Sequence, residues 1–240
     1  RVIVFFAFLL AEQLFAGFPQ ASFITILFSF LYYIWIIRKS HSILMDIIRF
    51  ELACALAAGF AGMQLLPSYE FLQQTTVSSG FSQQEASYFS YPLKHLITLI
   101  QPFALGNPKL GTYPHFAKLS GSIFWENTGY IGILPLLFLF GIFFVNKKSL
   151  KNSVFPVFIV LICISFFLML GKNSPFYFIY SFWPFNLFRV PSRFIWSFEV
   201  FLIAAAGFGL DIIVNRWKNF VLRILLIVGI SIHIGSLYLT

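Results

Sequence analysis

The chain has 240 residues, 59% hydrophobic and 10% charged, with a formal net charge of +8. Soluble domains carry about 45–50% apolar and about 25% charged residues, so this composition excludes an ordinary soluble enzyme and predicts an all-α, polytopic membrane protein. The positive charge does not call for nucleic acid. Ten of the sixteen Lys and Arg, counting Arg1, lie in or beside short basic linkers between apolar runs, where topology and anionic lipid account for them.

About 20 apolar residues in a helix cross a hydrocarbon core about 30 Å thick. Seven stretches approach that length: 1–17, 19–37, 50–67, 123–145, 153–170, 192–214 and 220–240. Gly17 and Pro19 separate the first two almost without a linker. Proline resists a helix interior, so a tight turn is expected there, with a sharply kinked single helix as the alternative. The long polar segment is 68–122. Its run between Pro92 and Pro102 is too short to span and carries Lys94 and His95, which fits an interfacial or re-entrant helix. The second outer loop, 171–191, is dense in aromatic residues from Phe176 to Phe188. That suits an interfacial belt or a wall for a lipid-linked substrate.

Three linkers are basic: Arg38, Lys39 and Arg49; Lys147, Lys148 and Lys151; Arg216, Lys218 and Arg223. The positive-inside rule places them in the cytoplasm. The other linkers then share the outer side: Gly17-Phe18-Pro19-Gln20, Pro67-Ser68-Tyr69-Glu70, Glu126-Asn127-Thr128-Gly129-Tyr130, Gly171-Lys172-Asn173-Ser174-Pro175 and Phe188-Arg189-Val190-Pro191-Ser192-Arg193. The whole of 1–240 reads as one transmembrane domain containing an outer loop at 68–122. Arg1 opens directly in an apolar run and Thr240 closes inside another, which reads as a fragment of a longer protein.

Soluble-enzyme signatures are missing: no phosphate-binding glycine loop, no His-Glu-x-x-His, no paired-Cys motif. Cys54 and Cys163 both lie in spans and predict no structural disulfide. His41, His95, His115 and His233 are scattered, and no metal site is predicted. No internal repeat supports an inverted-repeat transporter.

The informative residues are charges in or beside the apolar spans, which are costly unless paired or functional. Glu12 lies near the outer end of the first span, Glu126 opens the fourth, and Arg193 and Glu199 lie on the sixth. One reading is an ion-pair set that ties helices together. The other makes Glu12 or Glu126 a carboxylate beside a substrate hydroxyl, with Arg189 and Arg193 gripping phosphate, since guanidinium matches phosphate oxygens bidentately. Ser192 as an N-cap after Pro191 would start a helix there, and a helix N-terminus favours anions. Lys172 could join them from the facing loop. Asn127, Tyr130 and Gln20 are the polar groups alongside. Asp211, near the cytoplasmic end, reads as structural.

The strings Ala-Gly-Phe-Pro-Gln, Gln-Leu-Leu-Pro, Glu-Asn-Thr-Gly-Tyr-Ile-Gly, Leu-Gly-Lys-Asn-Ser-Pro and Phe-Arg-Val-Pro-Ser-Arg-Phe, in that order over about residues 12–214, resemble the YfhO-like family of bacterial membrane proteins. That family is similar to GT-C-type glycosyltransferases. The resemblance implies a multi-pass protein of the bacterial cytoplasmic membrane that transfers a sugar, on the outer face, from a polyprenyl-phosphate-linked donor to a cell-envelope glycan or polymer acceptor. It also implies a key acidic residue in a first outer loop, which would precede Arg1. Glu126 and Glu12 are then the catalytic candidates, with Arg189, Arg193, Lys172, Asn127, Tyr130 and Gln20 as substrate-binding candidates. A flippase or transporter of a lipid-linked glycan, or an inert membrane scaffold, is the alternative. Polar residues gathered at one end of the spans favour the transferase. No cofactor is specified.

Overall fold

The structure is a computed structural model that describes residues 2–75, 77–114, 123–142, 154–216 and 229. Among these residues the regular structure is helical throughout, with no strand. The α-helices are α1 Val2–Phe15, α2 Pro19–Ile37, α3 Ile43–Phe60, α4 Gly62–Gln73, α5 Gln83–Ala86, α6 Phe124–Asn127, α7 Ile133–Gly141, α8 Phe155–Met169 and α9 Ile195–Arg216. Short 3₁₀ turns cover Leu93–Leu99, Pro108–Leu110, Gly171–Asn173, Tyr177–Ser181, Phe185–Leu187 and Pro191–Phe194, the last running straight into α9.

Two described segments are long and apolar enough to cross a membrane, Pro19–Ile37 and Pro191–Asp211. The 14 residues of α1 reach only about 21 Å at 1.5 Å per residue, and α8 is similarly short. The all-α expectation therefore holds among the described residues, whereas seven spans do not follow from these helices alone. The expected span 220–240 apart from Gly229, the linker cations Lys147, Lys148, Lys151, Lys218 and Arg223, and His115 and His233 lie outside the described residues.

Several expected boundaries are corrected, each for a local reason. Gly17 adopts φ +74°, a conformation that suits glycine, and Pro19 opens α2 at its first turn, so a turn separates α1 from α2. The span expected over 50–67 begins at Ile43 instead. Asp46 in the first turn complements the helix dipole, accepts a hydrogen bond from Ser40 Oγ (2.6 Å) and pairs with Arg49 at 2.6 Å. The helix stops at Phe60, and α4 follows with Pro67 in its interior. Pro67-Ser68-Tyr69-Glu70 is thus helical rather than an outer linker. Ser68 Oγ donates to the Gln64 carbonyl (2.7 Å) beside the gap that proline leaves in the ladder.

The span expected over 123–145 is broken. One turn, α6, gives way to extended Thr128, and Gly132 sits at φ +81° before α7 begins. The break keeps its backbone donors satisfied elsewhere: Gly129 N–H donates to Thr98 Oγ1 (3.3 Å), and Ile131 and Gly132 N–H both donate to the Leu99 carbonyl (3.2 and 3.0 Å). The remainder of that expected span lies outside the described residues.

By its contacts the chain divides into two compact units, Arg1–Ser82 with Trp183–Phe188, and Gln83–Phe182 with Arg189–Thr240. In the first unit α1 packs mainly on α3. Ala7, Ala11, Ala57 and Ala61, spaced four apart on each side, are all buried, with Leu10 among them. Between apolar helices in lipid, small residues at this spacing let backbones approach and gain dispersion contact. Gln13 Nε2 donates to Thr25 Oγ1 (3.0 Å) between α1 and α2. The aromatic 183–188 segment joins this unit by packing Phe185 and Phe188 on Phe23, with ring centroids 5.5 and 5.1 Å apart.

In the second unit α9 packs on α7 and α8. Ala205, Ala206 and Gly209 are buried, and any Cβ at Gly209 would collide with the Phe138 carbonyl oxygen. Both units thus rest on small-residue stripes. Enlarging one should push its helices apart: Ala57→Leu is expected to destabilise by about 1–3 kcal/mol, the usual result of overpacking. Thermal melting in detergent checks this, with Leu52→Ala, at a half-exposed position on the same helix, leaving the midpoint nearly unchanged.

Candidate functional site

Three of the strings expected on the outer side meet in the second unit. Two residues other than glycine adopt left-handed backbone there, Phe89 (φ +60°) and Val190 (φ +65°). Such a conformation is strained for a β-branched residue and costs on the order of 1–3 kcal/mol unless the surroundings impose it. The surroundings do so here. Ser192 N–H donates to the Phe89 carbonyl (3.4 Å), which joins the two strained residues. Gly171, at φ +51°, lies so close to Ser90 and Pro191 that a Cβ there would overlap Ser90 Oγ. Lys172 N–H donates to Ser90 Oγ (2.8 Å), and Asn173 Nδ2 donates to the Tyr91 carbonyl (3.4 Å).

The helix that carries Arg193 starts at Pro191, which is tolerated at the first position because its missing N–H would be unpaired anyway. Val190 takes the N-cap position and no side chain caps the turn. Ser192 is therefore not the N-cap. It lies inside the 3₁₀ turn, fully buried, with Oγ lacking a hydrogen-bond partner.

Arg193 projects onto α6. Its Nε donates to Glu126 Oε2 (2.8 Å) and its Nη2 to Glu126 Oε1 (2.7 Å). This two-pronged pair has both side chains about one-fifth exposed. The structure thus joins two of the sequence candidates directly. Asn127, next to Glu126, is fully buried. Tyr130 is half-buried, and its backbone N–H donates to the Glu199 carboxylate. Gly129 between them has no room for a side chain, because a Cβ would strike Glu199 Oε1 and Ile195 Cδ1. Lys172 and Arg189 are exposed in the same unit. Glu12, exposed on α1, and Gln20, buried in the first turn of α2, belong to the other unit.

A further polar group, outside the sequence candidates, contacts α6 and the stretch that follows it. The stretch expected to form an interfacial or re-entrant helix is a 3₁₀ turn over Leu93–Leu99, with Leu93 and Ile97 exposed and His95, Thr98 and Leu99 buried. Tyr91, His95 and Thr98 are each at most 1% exposed. Thr98 Oγ1 donates to the His95 carbonyl (2.6 Å) while accepting from Gly129 N–H. His95 Nε2 lies 3.0 Å from the Tyr113 hydroxyl, and the Tyr113 ring meets Phe124 edge-on at 5.3 Å. Burial, with the Glu199 and Tyr113 charges nearby, holds the Tyr91 phenol above its ordinary range despite Thr98 acting the other way. The spacing of 91, 95 and 98, i, i+4 and i+7 in an apolar run, is the signal that could have found this face. Among the described residues no cluster of His, Cys, Asp or Glu could hold a metal ion, and Cys54 and Cys163 are free thiols.

Comparison with protein-family models, curated proteins and solved structures finds no match for this chain.

Burial first, and the Lys94 charge second, depress the His95 imidazole from 6.5 to about 4. The folded state therefore binds this proton less readily than the unfolded state. Stability from His95 is fully present above pH 6.5 and is lost as pH falls toward 4. The melting temperature should decline over that window. His95→Gln, which cannot titrate, should flatten the decline in a melting series from pH 7 to pH 4.

Proposed function

We propose that the protein is a multi-pass membrane glycosyltransferase that takes a sugar from a polyprenyl-phosphate-linked donor and passes it to an extracytoplasmic acceptor. One observation carries this reading: the two-pronged Glu126–Arg193 pair at the head of an apolar helix, with Lys172 and Arg189 exposed in the same compact unit. Cationic groups and a carboxylate, gathered in an otherwise apolar protein, suit a substrate whose phosphate lies at the lipid surface and whose tail stays in lipid.

The reaction needs an acceptor oxygen to bond the anomeric carbon while the bond from that carbon to the phosphate oxygen breaks. The bonding electrons leave with the lipid phosphate, and the acceptor proton passes to a carboxylate. Arg193, Arg189 and Lys172 would stabilise the charge growing on the leaving phosphate. Glu126 gives both of its oxygens to Arg193, so it accepts a proton only by releasing one of those bonds. In this reading its constant task is to aim the guanidinium. Glu12 remains the candidate base in the other unit.

Glu126→Gln keeps the shape and removes the charge. If Glu126 takes the acceptor proton, sugar transfer from defined polyprenyl-phosphate donors should fall by about 10²-fold or more. A fall under tenfold with an unchanged melting temperature would remove Glu126 as the base. Arg193→Lys keeps the charge without the fork, so it should restore only part of the donor use that Arg193→Ala loses. Normal transfer by well-folded Arg193→Ala would sink the phosphate role.

The multi-pass reading rests on the basic linkers and has its own check. A Cys at Ser79 should react with a membrane-impermeant thiol reagent in intact cells, and a Cys at Lys39 should not. The reverse pattern would put the site on the cytoplasmic side.

A further inference from the structure

The string Glu126-Asn127-Thr128-Gly129-Tyr130 is held at both ends by one helical element. Arg193 takes the Glu126 carboxylate, and Glu199, six residues later, takes the Tyr130 backbone N–H. Between those points Gly129 lies flat against Glu199 Oε1 and Ile195, while its own N–H is held from the opposite side by Thr98. The sequence alone makes Glu199 one more costly charge on an apolar helix. In the structure its side chain is partly buried, its Oε1 is shielded from solvent without a hydrogen-bond partner, and fully buried Tyr91 lies within its electrostatic reach. A carboxylate left this under-satisfied in an apolar segment is expensive to keep. A simple packing role would be filled better by leucine.

We propose that Glu199 is a positioning residue. By holding the Tyr130 N–H it fixes the non-helical 128–132 stretch, and so holds α6 at the place where the Glu126 carboxylate meets Arg193. Glu199 Oε1 is closed off from solvent, so the role argued for it runs through the backbone it holds. The link to lipid phosphate rests on the transferase reading above; the positioning itself does not.

The test uses the full-length protein in membranes or detergent. A double-mutant cycle between Glu126→Gln and Arg193→Gln, read as the non-additive part of the melting shift, measures how firmly the pair is coupled. It is run in the wild type, in Glu199→Gln and in Glu199→Leu. Glutamine keeps a carbonyl acceptor for the Tyr130 N–H, and leucine keeps bulk without an acceptor. Coupling should survive in the glutamine variant and vanish in the leucine variant. Equal coupling in all three backgrounds overturns the proposal. If Glu199→Leu fails to accumulate, Gly129→Ala, whose methyl presses on Glu199 Oε1, takes its place: lost coupling supports the proposal and retained coupling overturns it.

A second measurement separates the two readings. Binding of farnesyl phosphate is compared with that of farnesol. Where the wild type prefers the phosphate, that preference should drop about tenfold in Glu199→Leu, the scale for a misplaced charge contact, and persist in Glu199→Gln. An unchanged preference in the leucine variant overturns the positioning role. If the wild type shows no preference at all, the lipid-phosphate reading falls, and the coupling cycle still decides what Glu199 does.

Discussion

A charge in an apolar surround must find a partner, and in this protein that demand converges on the start of one helix. Arg193 and Glu126 satisfy each other through two short, charge-assisted bonds. With both side chains mostly withdrawn from water, removing one partner would strand the other, and breaking such pairs is far more costly than exposed ones. The same helix then extends its hold with Glu199. Around these two anchors the chain gives up regular structure: α6 lasts a single turn, Thr128 is extended, and Gly132 turns left-handed. The irregular backbone survives because Thr98, Leu99 and Glu199 receive its N–H groups. In an apolar setting, unmade backbone bonds would otherwise forbid such a break.

The scaffold beneath relies on a different device. Between helices that are apolar on every side, hydrophobicity alone does not select which faces meet. Close backbone approach becomes the remaining source of contact. Ala7, Ala11, Ala57 and Ala61 supply it in one unit, and Ala205, Ala206 and Gly209 in the other. Large aromatic residues divide between the two environments: Phe28, Phe50, Phe194 and Phe198 are buried on the helices, while Phe178, Phe182 and Trp183 of the loop are largely exposed.

Among the described residues, left-handed backbone outside glycine gathers at one junction. Phe89 and Val190 both hold left-handed backbone and are linked through Ser192 N–H, while Gly171 fits against Ser90 and Pro191 where no other residue would. Strained backbone persists where the surrounding structure over-determines it, as it often does at functional sites. Here it sets Arg189 and Arg193 on either side of a sharp turn and ties Lys172 to the same loop. A smooth helix start capped by Ser192 would have aimed these side chains differently.

The sequence by itself determined the all-α class, the span Pro19–Ile37, the turn at Gly17 and the short list that contains Glu126 and Arg193. Each follows from local chemistry: apolar composition, the φ freedom of glycine, the missing N–H of proline, and the price of a charge in an apolar run. Only the tertiary structure decided that Glu126 and Arg193 face each other, that the span expected over 123–145 breaks at Thr128, and that α3 absorbs Asp46 and Arg49 as helix. It alone revealed that Tyr91, His95 and Thr98 are buried, with Thr98 on Gly129, and that Glu199 reaches the Tyr130 backbone. Those outcomes depend on partners far apart along the chain: 67 residues separate Glu126 from Arg193 and 31 separate Thr98 from Gly129. A helix breaks cheaply only where a distant group can take its orphaned N–H, and periodicity along the chain carries no record of that group.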